Sequence, residues 1–370
     1  MVDMQLKRDE RAGLKLRELY RLHGYNQYKM NKFEEYDLYV RNKDFLICDS
    51  VITFTDTNGR LLALKPDVTL SIIKNSRDEG ELTKVYYDEN VYRISESTKS
   101  FKEIKQVGLE CIGDIDTFLV YEVLSLAVKS LKTVSDSYVL DIADLKVTAA
   151  LLDKITTDTT LKQKIVKCIS DKNIHELDAL LSSAPESYCD ALKALINIYG
   201  SPAQVLPRLH AVLDTVLPDD ILNDLEAVCA LLKKEQISDC VRIDFSVIND
   251  IKYYNGIVFK GFVNGIASGV LSGGRYDSLL KRMGKNCGAI GFAVYLDLLE
   301  ELNYVRGEYD IDAVILYDSQ SDLSVLSEKI SAFTDSKMSV TALKKLPEKL
   351  KYKKLLRIQG KDVTLLENNA

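Results

Sequence analysis

Ile104-Lys105-Gln106-Val107-Gly108-Leu109-Glu110-Cys111-Ile112 alternates with period two. Successive side chains of a strand point to opposite faces, so Ile104, Gln106, Gly108, Glu110 and Ile112 share one face and Val107, Leu109 and Cys111 the other. The second face is apolar and therefore packed. The first presents an amide and a carboxylate on either side of a glycine. Glycine weakens a strand, and its place between two polar side chains is accounted for if its missing bulk lets a small ligand lie on the sheet. The competing account is a solvated sheet face with an incidental glycine, and this strand alone does not choose between them.

Working outward, Ala12, Leu16, Leu19 and Tyr20 repeat at helical spacing, with Gly24 as the stop. Residues 45–64 are rich in Val, Ile, Thr and Leu around Thr57-Asn58-Gly59-Arg60, a strong hairpin signal. Strands are expected at 83–87, 90–94 and 104–112, with a flexible polar connection at 95–100, and then a helix opened by Asp114 and Asp116. The pattern from 144 to about 236 is almost wholly helical. Strand patterning resumes at 241–248, 253–263 and 266–271, followed by a strand at 288–292 and a helix at 294–302. After Arg306 a new unit begins, with a strand at 312–316, a helix at 323–333 and a hairpin at 355–366 turning at Gly360. Strands joined by hairpins rather than regular crossovers give an α+β class: an antiparallel sheet flanked by helices. That sheet is built from residues 1–143 and 238–305, with a helical insertion at 144–237 and a small C-terminal α/β domain at 306–370.

A chain of 370 residues with 46% apolar and 28% charged residues, six prolines and 18 glycines is neither disordered nor of low complexity. It has no run of eighteen apolar residues, and its first residues lack a charged-then-apolar leader, so a soluble cytoplasmic protein without membrane contact is expected. Seven cysteines, at 48, 111, 168, 189, 229, 240 and 287, show no C-x-x-C spacing. Reduced, mostly buried thiols follow, with no metal site. A net charge of −6 repels phosphate backbones, so nucleic-acid binding is not expected. The one basic stretch is 344–357, where Tyr352 is the single aromatic among seven cations; it reads as a solvated face.

Four clusters carry candidate chemistry. The first is the Gln106-x-Gly108-x-Glu110 face. In Lys65-Pro66-Asp67-Val68-Thr69 the proline fixes a turn, and Asp67 and Thr69 open a helix through Lys74; a helix cap explains both, and Asp67 would also accept from a ligand ammonium. Tyr253-Tyr254-Asn255-Gly256 opens a strand with Tyr254 and Gly256 on one side, and a buried tyrosine pair is the commoner account. Ser272-Gly273-Gly274-Arg275-Tyr276-Asp277 reads as a glycine turn between a strand and a helix; N–H groups at such a turn can cradle an anion, but without the spacing of a P-loop the phosphate signal is weak. His23, His175 and His210 have no partner spacing, and neither G-x-S-x-G nor H-E-x-x-H occurs.

Taken in order, these clusters resemble the catalytic core of class II aminoacyl-tRNA synthetases, specifically the histidyl enzyme, over most of residues 8–305. Lys65 to Thr69 looks like that family's amino-acid-ammonium loop. Tyr92-Arg93 with Gln106 to Glu110 looks like motif 2, Tyr253 to Gly256 like the histidine-specific tyrosine strand, and 288–299 like motif 3. Four positions depart from the family pattern. Leu298 stands where motif 3 ends in the arginine that grips ATP phosphates, and Asn249 where an arginine activates the amino-acid carboxylate. Lys252 replaces an aspartate and Asn31 the motif 1 proline. An apolar side chain cannot neutralise a triphosphate, and removing a donor that stabilises a transition state costs ~10²–10³ in rate.

With those departures the chain is similar to the regulatory subunits of ATP phosphoribosyltransferase, non-catalytic paralogues of histidyl-tRNA synthetase. The resemblance implies a partner, the short-form catalytic subunit of the first step of histidine synthesis, and self-association as a dimer within a larger hetero-oligomer. It implies L-histidine as ligand and no cofactor. Carried over residue by residue, Glu110 and Tyr254 would bind the imidazole beside Tyr253. Asp67, Thr69 and Gln106 would bind the ammonium, and Arg93 would hold the carboxylate. The alternatives are a divergent histidyl-tRNA synthetase, whose anticodon-binding domain residues 306–370 resemble in shortened form, or a tRNA-binding accessory protein on the same fold.

Overall fold

The alternating segment at 104–112 lies inside a thirteen-residue strand, Phe101–Gly113, in the interior of a nine-stranded sheet. The computed structural model describes residues 6–42, 51–76, 81–95, 98–182, 184–248, 253–302 and 309–369, and the chain divides into two units between Leu302 and Asn303. The first unit begins with α1 (Arg8–Leu22), β1 (Asn26–Gln27), β2 (Phe33–Glu35), α2 (Tyr36–Arg41), β3 (Thr53–Thr55), β4 (Leu61–Leu64) and α3 (Thr69–Asn75). It continues with β5 (Thr83–Ile94), β6 (Phe101–Gly113), α4 (Thr117–Val134) and β7 (Tyr138–Asp144). The helical stretch comprises α5 (Leu145–Ile155), α6 (Thr159–Ser170), α7 (Ile174–Leu180), α8 (Glu186–Asn197), the short β8 (Tyr199–Gly200), α9 (Pro202–Leu213) and α10 (Asn223–Lys234). The unit closes with β9 (Val241–Asp244), β10 (Ile257–Val263), β11 (Leu271–Arg275), α11 (Asp277–Arg282) and β12 (Gly288–Tyr295).

The sheet order is β1-β5-β6-β12-β11-β10-β7-β9-β8. Its interior from β5 to β7 is antiparallel, as the hairpin pattern indicates, while β1 pairs β5 and β9 pairs β7 in parallel. Strands from both sides of the helical stretch therefore interleave. One face packs against α1 and α4: Leu16, Tyr20, Val123, Leu124 and Leu131 lie with Leu109 and Phe292 in one continuous core. Each such buried side chain contributes ~1.5–3 kcal/mol. The N-cap Asp116 starts α4 by accepting from Leu119 N at 2.8 Å. The other face carries a smaller core of Leu70, Ile73, Tyr87, Tyr276, Leu279 and Leu280, contributed largely by α3 and α11.

Five local expectations are corrected. Residues 83–94 form one strand and not two: Tyr87-Asp88-Glu89-Asn90 holds no glycine or proline, and Glu89 is held by Lys65 at 2.5 Å. The strand expected from 253 begins at Ile257, and the one expected at 266–271 is replaced by β11 at 271–275. Gly273-Gly274 is thus strand and not an anion-cradling turn; a Cβ on Gly274 would lie 2.7 Å from the Tyr254 ring. Finally, β12 runs on to Tyr295, and a 3-10 turn at Asp297–Glu301 stands in place of the helix expected at 294–302. The Asn58-Gly59 hairpin forms between β3 and β4, with Gly59 at φ +80°. Residues 45–50, with Cys48, and Asn249 and Lys252 lie outside the described residues.

The second unit is a four-stranded sheet, β14-β13-β15-β16, of β13 (Ile311–Leu316), β14 (Val340–Leu343), β15 (Tyr352–Gln359) and β16 (Asp362–Asn368), with α12 (Leu323–Asp335) on one face. Lys344, Lys345, Lys349, Lys351 and Arg357 are exposed, and Lys353 pairs with Asp312 at 2.6 Å. Among the described residues six cysteines are free, four of them buried; burial pushes the Cys111 and Cys229 thiols up to about 12. Among the described residues there is no metal-binding group of three ligands, and no helix is long and apolar enough to cross a membrane.

Candidate functional site

On the face of β6 turned away from α4, Glu110 is 3% exposed and both its oxygens are engaged. The Thr69 hydroxyl at the start of α3 donates to Oε1 at 2.8 Å, and the Tyr276 hydroxyl just beyond β11 donates to Oε2. Across the sheet Glu110 pairs with Gly291, where a Cβ would lie 1.8 Å from Oε2. The carboxylate therefore lies back over β12 in space that only glycine leaves open. Burial pushes the Glu110 carboxyl up to about 7, against the two hydroxyl donors that lower it.

Gly108 does not serve as the ligand floor that its sequence position suggests. A Cβ there would lie 2.5 Å from the Tyr87 hydroxyl, so the vacated bulk admits Tyr87, its cross-strand partner on β5. Asp67 is also buried, and its Oδ1 accepts from Leu70 N at 3.1 Å in the first turn of α3; the N-cap itself is Val68, and Thr69 bonds Glu110 rather than capping. Burial raises it to about 6, with the Leu70 N–H and the Arg93 charge opposing. Arg93 on β5 donates from Nε to Pro66 O at 2.9 Å, which ties the strand to the loop bearing Asp67. Tyr253 and Tyr254 precede β10 rather than lie in it, with rings 4.6 Å apart, and Tyr253 is 5.5 Å from Tyr276. Burial raises the phenols of Tyr87, Tyr253 and Tyr276 far above their ordinary range.

All seven residues singled out from sequence, Asp67, Thr69, Arg93, Gln106, Glu110, Tyr253 and Tyr254, line one pocket. Sequence reasoning missed Tyr87, Tyr276 and Tyr295, which line it too. Tyr276 stood inside the quoted glycine segment; Tyr295 bonds Ser272 through its hydroxyl at 2.8 Å. The signal that could have found Tyr87 is its period-two place opposite Gly108, which requires the register of β5 on β6. Among the described residues that line it, Arg93 is the one cation, against two carboxylates. Leu298, half-buried, packs against the main core and is not part of the lining. Buried carboxylates, phenols and an amide around a small cavity, with one guanidinium, suit a ligand rich in N–H donors rather than a polyphosphate.

Comparison with known proteins gives this arrangement a lineage. The chain is similar to the ATP phosphoribosyltransferase regulatory subunit of Oceanobacillus iheyensis, at 29% identity over 75% of this chain and 69% of that one. The regulatory subunit of Clostridium acetobutylicum is 25% identical over 96% of this chain and 92% of its own length. Among solved structures, an ATP phosphoribosyltransferase regulatory subunit/histidyl-tRNA synthetase from Bacillus halodurans superimposes with a TM-score of 0.76 at 21% identity, covering 95% and 94% of the two chains. An ATP phosphoribosyl transferase complex from Thermotoga maritima gives 0.61 at 21% identity over 78% and 97%. The family model described as histidyl-tRNA synthetase matches residues 1–299, the whole of the large sheet, and the chain belongs to that family.

Proposed function

We propose that this protein is the non-catalytic regulatory subunit of an ATP phosphoribosyltransferase, which binds histidine in the tyrosine-lined pocket and sets the activity of a short-form catalytic partner. The observation that carries the reading is the charge of the pocket: among the described residues, two buried carboxylates and one arginine make an amino-acid cradle without a clamp for a triphosphate. Leu298 in the main core, in place of the family's phosphate-gripping arginine, supports the same reading.

In this assignment Glu110 accepts from one imidazole N–H and Tyr254 meets the other ring nitrogen. Asp67 and Gln106 take the ammonium. Thr69, donating to Glu110, still has lone pairs for an ammonium N–H. Arg93 receives the carboxylate and Tyr253 walls the ring. The cavity is about 40 Å³, smaller than an amino acid, so its half-buried wall opens as histidine enters. Dimerisation in the synthetase manner and docking on the catalytic subunit complete the assembly. Feedback then follows from unequal histidine affinity in the active and inactive assemblies.

The deciding experiment copurifies the chain with a short-form ATP phosphoribosyltransferase and assays it with and without histidine. Activation by the chain and histidine-dependent inhibition are expected. Histidine-dependent ATP–pyrophosphate exchange by the chain alone would establish a synthetase instead.

A further inference from the structure

A second cavity, of about 180 Å³, opens where β10 and β11 meet α10 and the N-termini of α4 and α5. Neighbouring residues of a strand face opposite ways: Gly274 abuts Tyr254 of the first pocket, and Arg275 lines this one. The two cavities are therefore on opposite faces of the sheet. Ile115, Val120, Val228 and Ile257 form the apolar wall.

Two side chains in this cavity are left with unused bonding capacity. Asp144 is 0% exposed; its Oδ1 caps α5 by accepting from Lys146 N at 2.9 Å, and its Oδ2 is buried without a hydrogen-bond partner. An unsatisfied buried polar atom of this kind keeps the full cost of its desolvation, so native structures hold few of them. Burial raises the Asp144 carboxyl, with Lys146 and Arg275 opposing and Asp224 adding to the rise. Arg275 lies along Gly256, where a Cβ would come 3.0 Å from its Cδ. Among the described residues its guanidinium makes one hydrogen bond, from Nε to Asp277 Oδ2 at 2.9 Å, which leaves the other edge of the fork for a ligand. Lys146 and Asp224 pair with each other at the solvent side, their side chains 43% and 52% exposed.

We propose that this cavity is a second binding site, for a free α-amino acid whose ammonium donates to Asp144 Oδ2 and whose carboxylate takes the open edge of Arg275. A carboxylate acceptor and a guanidinium donor in one cavity match a zwitterion. Three carboxylates, Asp116, Asp144 and Asp224, against two cations disfavour a phosphate. The size is right for a ring-sized or branched side chain on the apolar wall, since a cavity of about 150 Å³ admits benzene.

The wall supplies its own reporters. In methyl NMR of the full chain with labelled Ile and Val, Ile115, Val120, Val228 and Ile257 report this cavity and Val68 the first pocket. Free L-amino acids are titrated one at a time. At least one is expected to shift the four wall methyls saturably. Its des-amino analogue leaves them in place, and Asp144→Asn, which keeps the cap acceptor, weakens the effect by ~10-fold or more. Three results would each overturn the site: no wall shift with any amino acid, an equal shift with the des-amino analogue, or unchanged affinity in a folded Asp144→Asn chain. The analogue decides the matter with unmutated protein should that variant fail to fold.

Discussion

The hydroxyl of Tyr276 donates to Oε2 of Glu110, a residue 166 positions away in sequence, and the bond is wholly buried. It joins the end of β11 to β6 across β12, so the carboxylate at the heart of the pocket is aimed by a side chain from the far part of the chain. Among the described residues, removing that hydroxyl leaves Glu110 with Thr69 as its one hydrogen-bond donor. Tyr276→Phe is expected to weaken histidine binding ~10-fold and Glu110→Ala ~100-fold or more, both without loss of assembly. Calorimetric titration of the assembled complex reads both, and unchanged affinity in both would place histidine elsewhere.

Stability should depend on pH through the same carboxyl. Glu110 is raised from 4.5 to about 7 in the folded chain, so between those values the folded state holds a proton that the unfolded state has lost. Its contribution is fully present below about 4.5 and is lost as pH rises through 7. Glu110→Gln keeps a neutral side chain throughout. The variant is therefore expected to gain on the unmutated protein as pH rises from 4.5 to 7, by on the order of 3 kcal/mol, and to hold that gain above. Denaturant unfolding of both proteins at several pH values measures the difference.

Two glycine substitutions should part company for physical reasons. At Gly291 an added Cβ meets Glu110 Oε2 at 1.8 Å and Leu109 O at 2.4 Å, so strand backbone must move. Gly291→Ala is expected to cost ~1–3 kcal/mol and to abolish histidine binding. Gly24 has open space around it and a φ of +82°, so Gly24→Ala costs ~1 kcal/mol from backbone strain and spares the ligand. Urea midpoints at constant slope, with a binding assay beside them, separate the two.

At the other end of the sheet Lys172 Nζ lies 3.0 Å from Asp244 Oδ2. The neighbouring Asp141 carboxyl is raised to about 6, by burial first and then by the Asp244 charge. Lys172→Met leaves two buried carboxylates without their shared cation. The expected loss is on the order of 1–2 kcal/mol at pH 8 and smaller at pH 5, where Asp141 is protonated. An equal loss at both pH values would show that the lysine acts through packing alone.

The sequence by itself determined the class of fold and seven of the residues that line the first pocket. Period-two alternation at 104–112, helical spacing in α1 and α4 and the Asn58-Gly59 turn are local signals, because each follows from backbone geometry and the burial of one face. The ordered resemblance to histidyl-tRNA synthetases then placed seven residues that the fold brings into one cavity.

The tertiary structure alone decided what fills the space left by glycines and where the buried carboxyl is aimed. Gly108 makes room for Tyr87, Gly291 for Glu110 and Gly274 for Tyr254, and each of these pairings depends on strand register or on packing between distant segments. Residues 83–94 stay extended where a turn seemed due because Glu89 finds Lys65, a partner supplied by another strand's loop. Asp144 and Arg275 meet at the second cavity although 131 positions separate them. Local pattern fixes which way a side chain points. Only long-range pairing of strands fixes what it meets there, because hydrogen bonding and excluded volume act between segments that the chain order keeps apart.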